Sequence, residues 1–274
     1  MNQKSKIGFL GAGNMAGALM MGLSKQGCPA SLLFAYDVDS SKLKKIRSRL
    51  KIKICESPHE LLQKTNVIVL ATKPQDLKSA LRPLRKHFKK HLVISIAAGM
   101  DLATLSKFIP TSCKIIRAMP NNPALIGEGI TALFSKKSLS SSERKNVENI
   151  FQGAGEFLWV KKENDLDAVT GLSGSGPAYV YQFIVALTQA GVKQGLSQEI
   201  SHRLALKTVM GSTLTLVKTG KKPQELIPLV TSKKGTTLAG LAVMKKKKFD
   251  QTIIETVAAA SRRAHEIKNE LKNQ

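Results

Sequence analysis

The residues with the clearest chemistry stand near the start of the chain. Ile7-Gly8-Phe9-Leu10 is short and apolar, Gly11-Ala12-Gly13-Asn14-Met15-Ala16 follows directly, and an uncharged run continues to Leu23. A buried strand, a glycine turn and a helix start in that order form the opening of a dinucleotide-binding βαβ unit. Gly11 permits the sharp turn, Gly13 lets the backbone approach a pyrophosphate, and Ala16 is small enough for the helix to pack on the strand. The helix N-terminus adds free N–H groups and a partial positive charge for the phosphates. A second apolar stretch, Leu32 to Tyr36, ends in Asp37. That acid lies about 20 residues beyond the fingerprint, where a carboxylate binds the adenosine ribose. Lys4 and Lys6 before an apolar run also fit a secretory leader, but the glycines stand where the fingerprint wants them and the pattern runs straight into a strand and helix.

The elements that must position this turn alternate. Ser40 to Leu50 reads as a basic surface helix, Ile52 to Cys55 as a short strand, and Ser57 as the cap of a helix through Gln63. Val67 to Ala71 is a continuous apolar run of the kind found in a central parallel strand. Helix is expected over 77–88, strand over 92–96, a short helix over 102–108 and strand over 114–118. Two prolines in Met119-Pro120-Asn121-Asn122-Pro123 break the rhythm before a strand at 130–134, a helix at 141–152 and a strand at 157–160. This is an α/β, Rossmann-type doubly wound parallel sheet. From Asp165 the strand signals vanish, and helices are expected over 168–194, 198–218, 223–230, 236–247 and 252–271. The expected division is a dinucleotide-binding domain over 1–163 and an all-α domain over 164–274.

Ligands of open parallel sheets bind beyond the carboxyl ends of the strands. Three such ends carry unusual residues: Ala71-Thr72-Lys73-Pro74, Ser95-Ile96-Ala97-Ala98-Gly99 and Arg117-Ala118-Met119-Pro120-Asn121. In the helical half, Gly171 to Pro177 is too glycine-rich for an undisturbed helix, so it lets two helices approach or lets a substrate touch the backbone. Ser232-Lys233-Lys234-Gly235-Thr236-Thr237 precedes an apolar helix, and its N–H groups and hydroxyls suit a small carboxylate or a simple threonine cap.

Composition narrows the reading further. The net charge of +24 attracts polyanions, but the lysines are scattered and aromatics, 5% of residues, are not interleaved to stack bases, so no specific nucleic-acid partner is expected. The run Lys245 to Lys248 reads as a solvated helix end. No apolar run suits a membrane span. Cys28, Cys55 and Cys113 form no paired pattern, so no disulfide framework or metal site is indicated and a reducing, cytoplasmic setting is expected. His59, His87, His91, His202 and His265 fall in polar patterns and read as solvated. Hydroxyacid dehydrogenases commonly place a lysine about a turn after such a glycine-rich segment, and Pro177 to Phe183 contains none. A substrate that arrives already polarised, such as a protonated cyclic imine, needs no strong protein acid.

Those segments together resemble the pyrroline-5-carboxylate reductases nearly end to end. They are Ile7 to Ala16, Ala71 to Pro74, Ser95 to Gly99, Ile116 to Asn121, Asp167 to Tyr179, and Val230-Thr231-Ser232 with Gly235-Thr236-Thr237. The resemblance implies an oxidoreductase of proline biosynthesis that passes hydride from a reduced nicotinamide to the imine carbon of 1-pyrroline-5-carboxylate. It implies a C-terminal dimerisation domain, a homodimer that can assemble to a decamer, and an active site between one subunit's cofactor domain and its partner's helices. It places Gly11, Gly13, Asn14 and Met15 along the phosphates, and Ala71, Lys73, Pro74, Ala97 and Ala98 beside the cofactor. Thr170 and Thr237 would act at the reacting centre, and Val230, Gly235, Thr236 and Thr237 would hold the substrate. The chain departs from the family pattern at Lys233-Lys234, where relatives often have Pro-Gly, and at Asn122, where they usually have threonine. It also carries Asp37 where NADPH-using relatives have a small polar residue. NADPH is the implied cofactor; Asp37 opposes its 2′-phosphate and favours NADH, while Ser40, Ser41 and Lys42 could receive that phosphate. Another imine or keto-acid reductase, and a non-catalytic dinucleotide sensor binding nucleic acid, are the competing readings.

Overall fold

The computed structural model describes residues 5–273; Lys4, on which the leader reading leans, lies outside them. The strands are β1 (Ile7–Leu10), β2 (Leu33–Tyr36), β3 (Lys53–Ile54), β4 (Val67–Leu70), β5 (Leu92–Ser95), β6 (Lys114–Met119), β7 (Gly129–Ser135) and β8 (Gly155–Trp159). The helices of the first part are α1 (Asn14–Lys25), α2 (Ser40–Leu50), α3 (Pro58–Lys64), α4 (Pro74–Leu81), α5 (Leu102–Ser106), α6 (Ser141–Gln152) and α7 (Asp165–Val169). There follow α8 (Gly176–Lys193), α9 (Gln198–Thr219), α10 (Pro223–Leu226), α11 (Thr236–Lys246) and α12 (Phe249–Asn273).

All strands join one sheet in the order β3-β2-β1-β4-β5-β6-β7-β8. Successive side chains on a strand face opposite ways, and each strand here feeds two cores. Phe9, Val69 and Ile94 meet Leu19, Leu23, Ile150 and Phe151 on one face. Leu10, Ile68, Leu70 and Val93 meet Leu61, Leu77, Leu81 and Leu105 on the other. Burial on both faces is why these strands read as unbroken apolar runs.

β1 to β6 pair in parallel, but β7 runs antiparallel to β6. The fully parallel sheet expected from strand–helix alternation is therefore corrected at this edge. Only a 3₁₀ turn at Asn122–Ile126 links the two strands, and a parallel return needs a crossover of about a dozen residues or more. The helix expected over 77–88 also differs: α4 starts at Pro74, ends at Leu81 and gives way to a 3₁₀ stretch, Arg82–His87. Pro83 has no N–H to extend the helix.

Packing divides the chain into residues 1–175 with 259–274, and residues 176–258. Strand signals end near residue 163, but the buried Leu166 on α7 and Leu271 at the end of α12 belong to the sheet-bearing unit. Within that unit Lys268, 4% exposed, donates to Asp167 Oδ2 at 2.5 Å, and His265 Nδ1 lies 3.3 Å from the same oxygen. Lys272 and Asp101 pair at 2.8 Å. Burial alone would raise the Asp101 pKa, but hydrogen bonds from Lys272 and Thr104 outweigh it and hold the carboxyl below its usual range.

The helical unit is described on its own. α8 and α9 lie so close that a Cβ on Gly191 would sit 2.7 Å from Ser201 Oγ. Phe183 and Phe249 rings pack with centroids 6.4 Å apart. Among its described residues only Thr188, Ser201 and Ala205 are buried, while Val217, Leu229, Val230 and Ile254 are each at least 60% exposed. The lysines 245–248 are exposed at the end of α11, as their run suggests.

The Asp167–Lys268 pair makes a direct test of how α12 is fastened. Asp167→Ala strands a buried ammonium and should cost roughly 3–5 kcal/mol, whereas replacing both partners with Leu and Met should recover most of the loss. Urea unfolding of the variants checks this, and an Asp167→Ala protein as stable as its parent would show that the pair holds nothing.

Candidate functional site

The register levels the strand ends. Leu10 stands beside Tyr36 and Leu70, and Leu70 beside Ser95, so β2, β1, β4 and β5 finish in one continuous rim. Gly11, Gly13, Asn14, Met15, Asp37, Ala71, Lys73, Pro74, Ala97 and Ala98 all lie on the segments that leave this rim. The structure thus brings together every residue assigned to the cofactor. Gly11 donates to the Tyr36 carbonyl at 2.8 Å, and Ala71 to the Leu10 carbonyl at 2.8 Å. Gly11 has φ +104°, and a Cβ there would sit 2.7 Å from the Ala71 carbonyl carbon and oxygen. Only glycine fits that turn.

Gly13 differs in kind. Its φ is −70°, and a Cβ would meet nothing within 4 Å. The protein itself leaves this space open. Gly13 caps α1 with no side-chain hydrogen bond, and no acid stands in the first turn. The leading N–H groups of α1 are therefore available to an anion. Thr72 Oγ1, at the end of β4, is buried and has no partner. An open space over Gly13, uncapped helix donors and an orphaned hydroxyl on one rim fit a dinucleotide.

Asp37 has a part that its position alone did not show. Its Oδ2 accepts from Ala12 N–H at 2.7 Å and its Oδ1 from Asp39 N–H at 2.9 Å. The carboxylate ties the end of β2 to the glycine turn. Lys42 Nζ stands 3.7 Å away. Beside the turn a cleft is lined by Gly13, Asn14, Gly17, Lys42, Lys45 and Arg49. Lys45 and Arg49 escaped notice in the sequence, although 42, 45 and 49 share a helix face by their spacing.

Thr170 opens a π-turn, Thr170–Gly174, directly after α7, closed by a hydrogen bond from Ser175 N–H to the Thr170 carbonyl at 2.8 Å. Its hydroxyl donates to the Leu166 carbonyl at 2.7 Å, so its lone pairs face outward and it acts as an acceptor. Such single π-turns often occur at functional sites. In the helical unit Gly235 caps α11 without a side-chain bond, and Thr236 and Thr237 are its first two residues, both exposed. The threonine is therefore not the cap, and the first-turn donors remain available. Val230 is 67% exposed.

Other chemistry finds no support. Cys28, Cys55 and Cys113 are free and buried, and burial pushes all three thiols up, Cys55 to about 11. None is a thiolate near neutrality. His91, read as solvated, is instead 5% exposed: its Nδ1 accepts from Lys89 N–H, so Nε2 carries the proton and donates to the Leu62 carbonyl at 3.0 Å. It is a neutral structural residue. Among the described residues no group of three His, Cys, Asp or Glu side chains could hold a metal ion, and no helix is long and apolar enough to cross a membrane.

Comparison with known proteins carries this geometry to a family. Residues 163–267 match the model for pyrroline-5-carboxylate reductase dimerisation, and residues 6–99 that for NADP oxidoreductase, coenzyme F420-dependent. The pyrroline-5-carboxylate reductase of Pseudomonas aeruginosa is 36% identical over 267 residues, 97% of this chain and 98% of the relative. The chain belongs to the pyrroline-5-carboxylate reductase family. The solved reductase of Coxiella burnetii superposes with a TM-score of 0.91 at 30% identity, covering 96% of this chain and 98% of that one. That of Plasmodium falciparum, solved with NADP bound, gives 0.85 at 34% identity, covering 97% and 99%. Pyrroline-5-carboxylate reductases are NAD(P)-dependent oxidoreductases acting on CH–NH groups, and the Rossmann-like sheet followed by helices described above is the fold of this family.

The open space at Gly13 sets a prediction. Gly13→Val should fold with near-parental stability, because its side chain meets nothing, yet lose most dinucleotide affinity by occupying the pyrophosphate's place. Thermal unfolding and nicotinamide fluorescence titration measure the two separately. Normal affinity in the folded variant would remove this turn from the site.

Proposed function

We infer that the chain reduces 1-pyrroline-5-carboxylate to L-proline with a reduced nicotinamide dinucleotide, the last step of proline synthesis. The observation that carries this reading is that the glycine turn and the start of α11 are both left without side-chain caps. One suits a pyrophosphate and the other a small carboxylate. A bound nicotinamide would supply the hydride. The residues assigned around it hold, orient and shield.

Gly11, Gly13, Asn14 and Met15 follow the phosphates, and Ala71, Lys73, Pro74, Ala97 and Ala98 flank the cofactor. Val230, Gly235, Thr236 and Thr237 take the substrate carboxylate, with Thr237 adding a hydroxyl donor. Thr170 offers acceptor lone pairs, which suit an imine N–H. A protonated imine already carries the positive charge that draws hydride, so orientation and electrostatics suffice. The scarcity of buried residues in the helical unit supports an obligate homo-oligomer, at least a dimer and by family resemblance up to a decamer. Three free cysteines suit a reducing cytoplasm.

Both cofactors remain compatible with the rim. Asp37 opposes a 2′-phosphate, while Lys42, Lys45 and Arg49 attract one. Steady-state rates with pyrroline-5-carboxylate and each of NADPH and NADH test the assignment as a whole, and absence of turnover with both would overturn it.

Two substitutions test its parts. Asp37→Ser loses the bond to Ala12 N–H and should weaken both cofactors. The ratio of their specificity constants isolates the charge, and it should move toward NADPH by about tenfold or more, roughly 1.4 kcal/mol. An unchanged ratio would mean that the carboxylate serves the turn alone. Thr237→Ala removes one charge-assisted hydrogen bond, typically worth about 1.5–3 kcal/mol. It should lower kcat/KM for pyrroline-5-carboxylate by roughly ten- to a hundredfold and leave cofactor affinity unmoved. Normal turnover would place the carboxylate elsewhere.

A further inference from the structure

Beyond the assigned rim, the end of β6 and the π-turn share a hydrogen bond whose direction is fixed. Ile130 N–H donates to Asn121 Oδ1 at 2.9 Å. That bond settles which end of the amide is oxygen, so Asn121 Nδ2 faces Ser173 Oγ, 3.2 Å away, and donates to it. The serine oxygen is an acceptor here, and its own proton must point elsewhere. Among the described residues nothing receives that proton. The serine is half-buried and held close: a Cβ on the next residue, Gly174, would sit 2.7 Å from Met119 Cε.

The position of this donor selects its acceptor. Ile94 pairs with Ile116 and Ser95 with Arg117, so β6 stands next to β5 and Asn121 follows two residues after β6 ends. In a doubly wound sheet the adenosine half of a dinucleotide lies over the first two strands, and the nicotinamide half lies toward the other side of the switch point. Asn121 and Ser173 are on that side. We propose that Ser173 donates a hydrogen bond to the carboxamide oxygen of the nicotinamide, and that Asn121 is a positioning residue that sets the direction of the serine proton. The inference rests on the dinucleotide reading of the rim. It gives the π-turn a task that a regular helix would not perform, since the extra residue brings Ser173 to Asn121 while Thr170 keeps its bond to Leu166.

The test separates this contact from the rest of the cofactor site. Binding of NADPH and NADH is measured by calorimetry on the full chain, beside ADP-ribose and its 2′-phosphate, which lack the nicotinamide. Ser173→Ala should weaken the dinucleotides about three- to tenfold, the range of one neutral hydrogen bond, and leave the fragments unchanged. Asn121→Asp is the sharper variant. Its new carboxylate still accepts from Ile130 N–H but now also accepts from the serine, turning the Ser173 proton away from the ligand while every partner stays paired. It should reproduce the Ser173→Ala loss with the fold intact. The reduced cofactors carry no ring charge for the carboxylate to act on. If dinucleotide and fragment affinities fall together, if neither falls, or if only the KM for pyrroline-5-carboxylate rises, the proposal is wrong. If the unaltered chain binds no fragment at all, the dinucleotide reading itself fails.

Discussion

The rim depends on how closely Gly11 approaches the backbone of Ala71. With 2.7 Å between the Ala71 carbonyl and the place a Cβ would take, β1 can turn into α1 without lifting away from β4. The Gly11 N–H then reaches the Tyr36 carbonyl, and the Ala12 N–H reaches Asp37. Three strand ends are stitched by the same two residues. Because the turn's own donors are used on the sheet side, the N–H groups that remain are those of α1, and they face outward without a cap. A charge-assisted bond such as Ala12 to Asp37 is stronger than a neutral one, so the acid expected to bind ribose also holds the phosphate turn in shape. Binding and folding are coupled at that carboxylate.

The two units meet the same demand by opposite means. The sheet unit buries both faces of its strands and closes on itself, even drawing in Leu271 from the far end of the chain. The helical unit buries three residues and leaves large apolar side chains in water. A body of that kind cannot offset the entropy of ordering its chain from its own contacts. Its missing core must come from outside, which is the physical content of a dimerisation domain. The +24 charge does not prevent such association when the apolar faces carry few lysines, and the run at 245–248 sits at a helix end.

Most of the sheet was legible in the sequence because burial on both faces removes polar residues from the strands, as in Val67 to Leu70. Asp37 was legible by its distance from the glycines, but not its bond to Ala12, which exists only once the turn has closed. The reversal at β7 was hidden because a 3₁₀ link and a crossover helix look alike in a proline-rich stretch. His91 read as solvated because its neighbours Lys89 and Lys90 are exposed while its own ring turns inward. The return of α12 to the sheet unit has no local signature at all. The cofactor rim could be found by spacing. The substrate residues could be suspected only through resemblance, since a glycine and two threonines before an apolar helix are ordinary helix-start chemistry.

What the site lacks explains the form it takes. The titratable groups that pack well inside the described residues, such as Asp167 with Lys268, Asp101 with Lys272 and the neutral His91, are used up in structural bonds. The groups left for chemistry are hydroxyls and backbone N–H donors. A hydroxyl is chemically ambiguous, because it can donate or accept, and it contributes direction only when a neighbour removes that freedom. Thr170 is fixed as an acceptor by giving its proton to the Leu166 carbonyl, and Ser173 is fixed as a donor by receiving from Asn121. Both constraints fall on one π-turn, three residues apart. A reaction whose substrate brings its own positive charge needs no acid of shifted pKa. It needs dipoles that do not reorient as charge is lost from the imine, and preorganised dipoles of this kind are the least costly way to stabilise such a transition state.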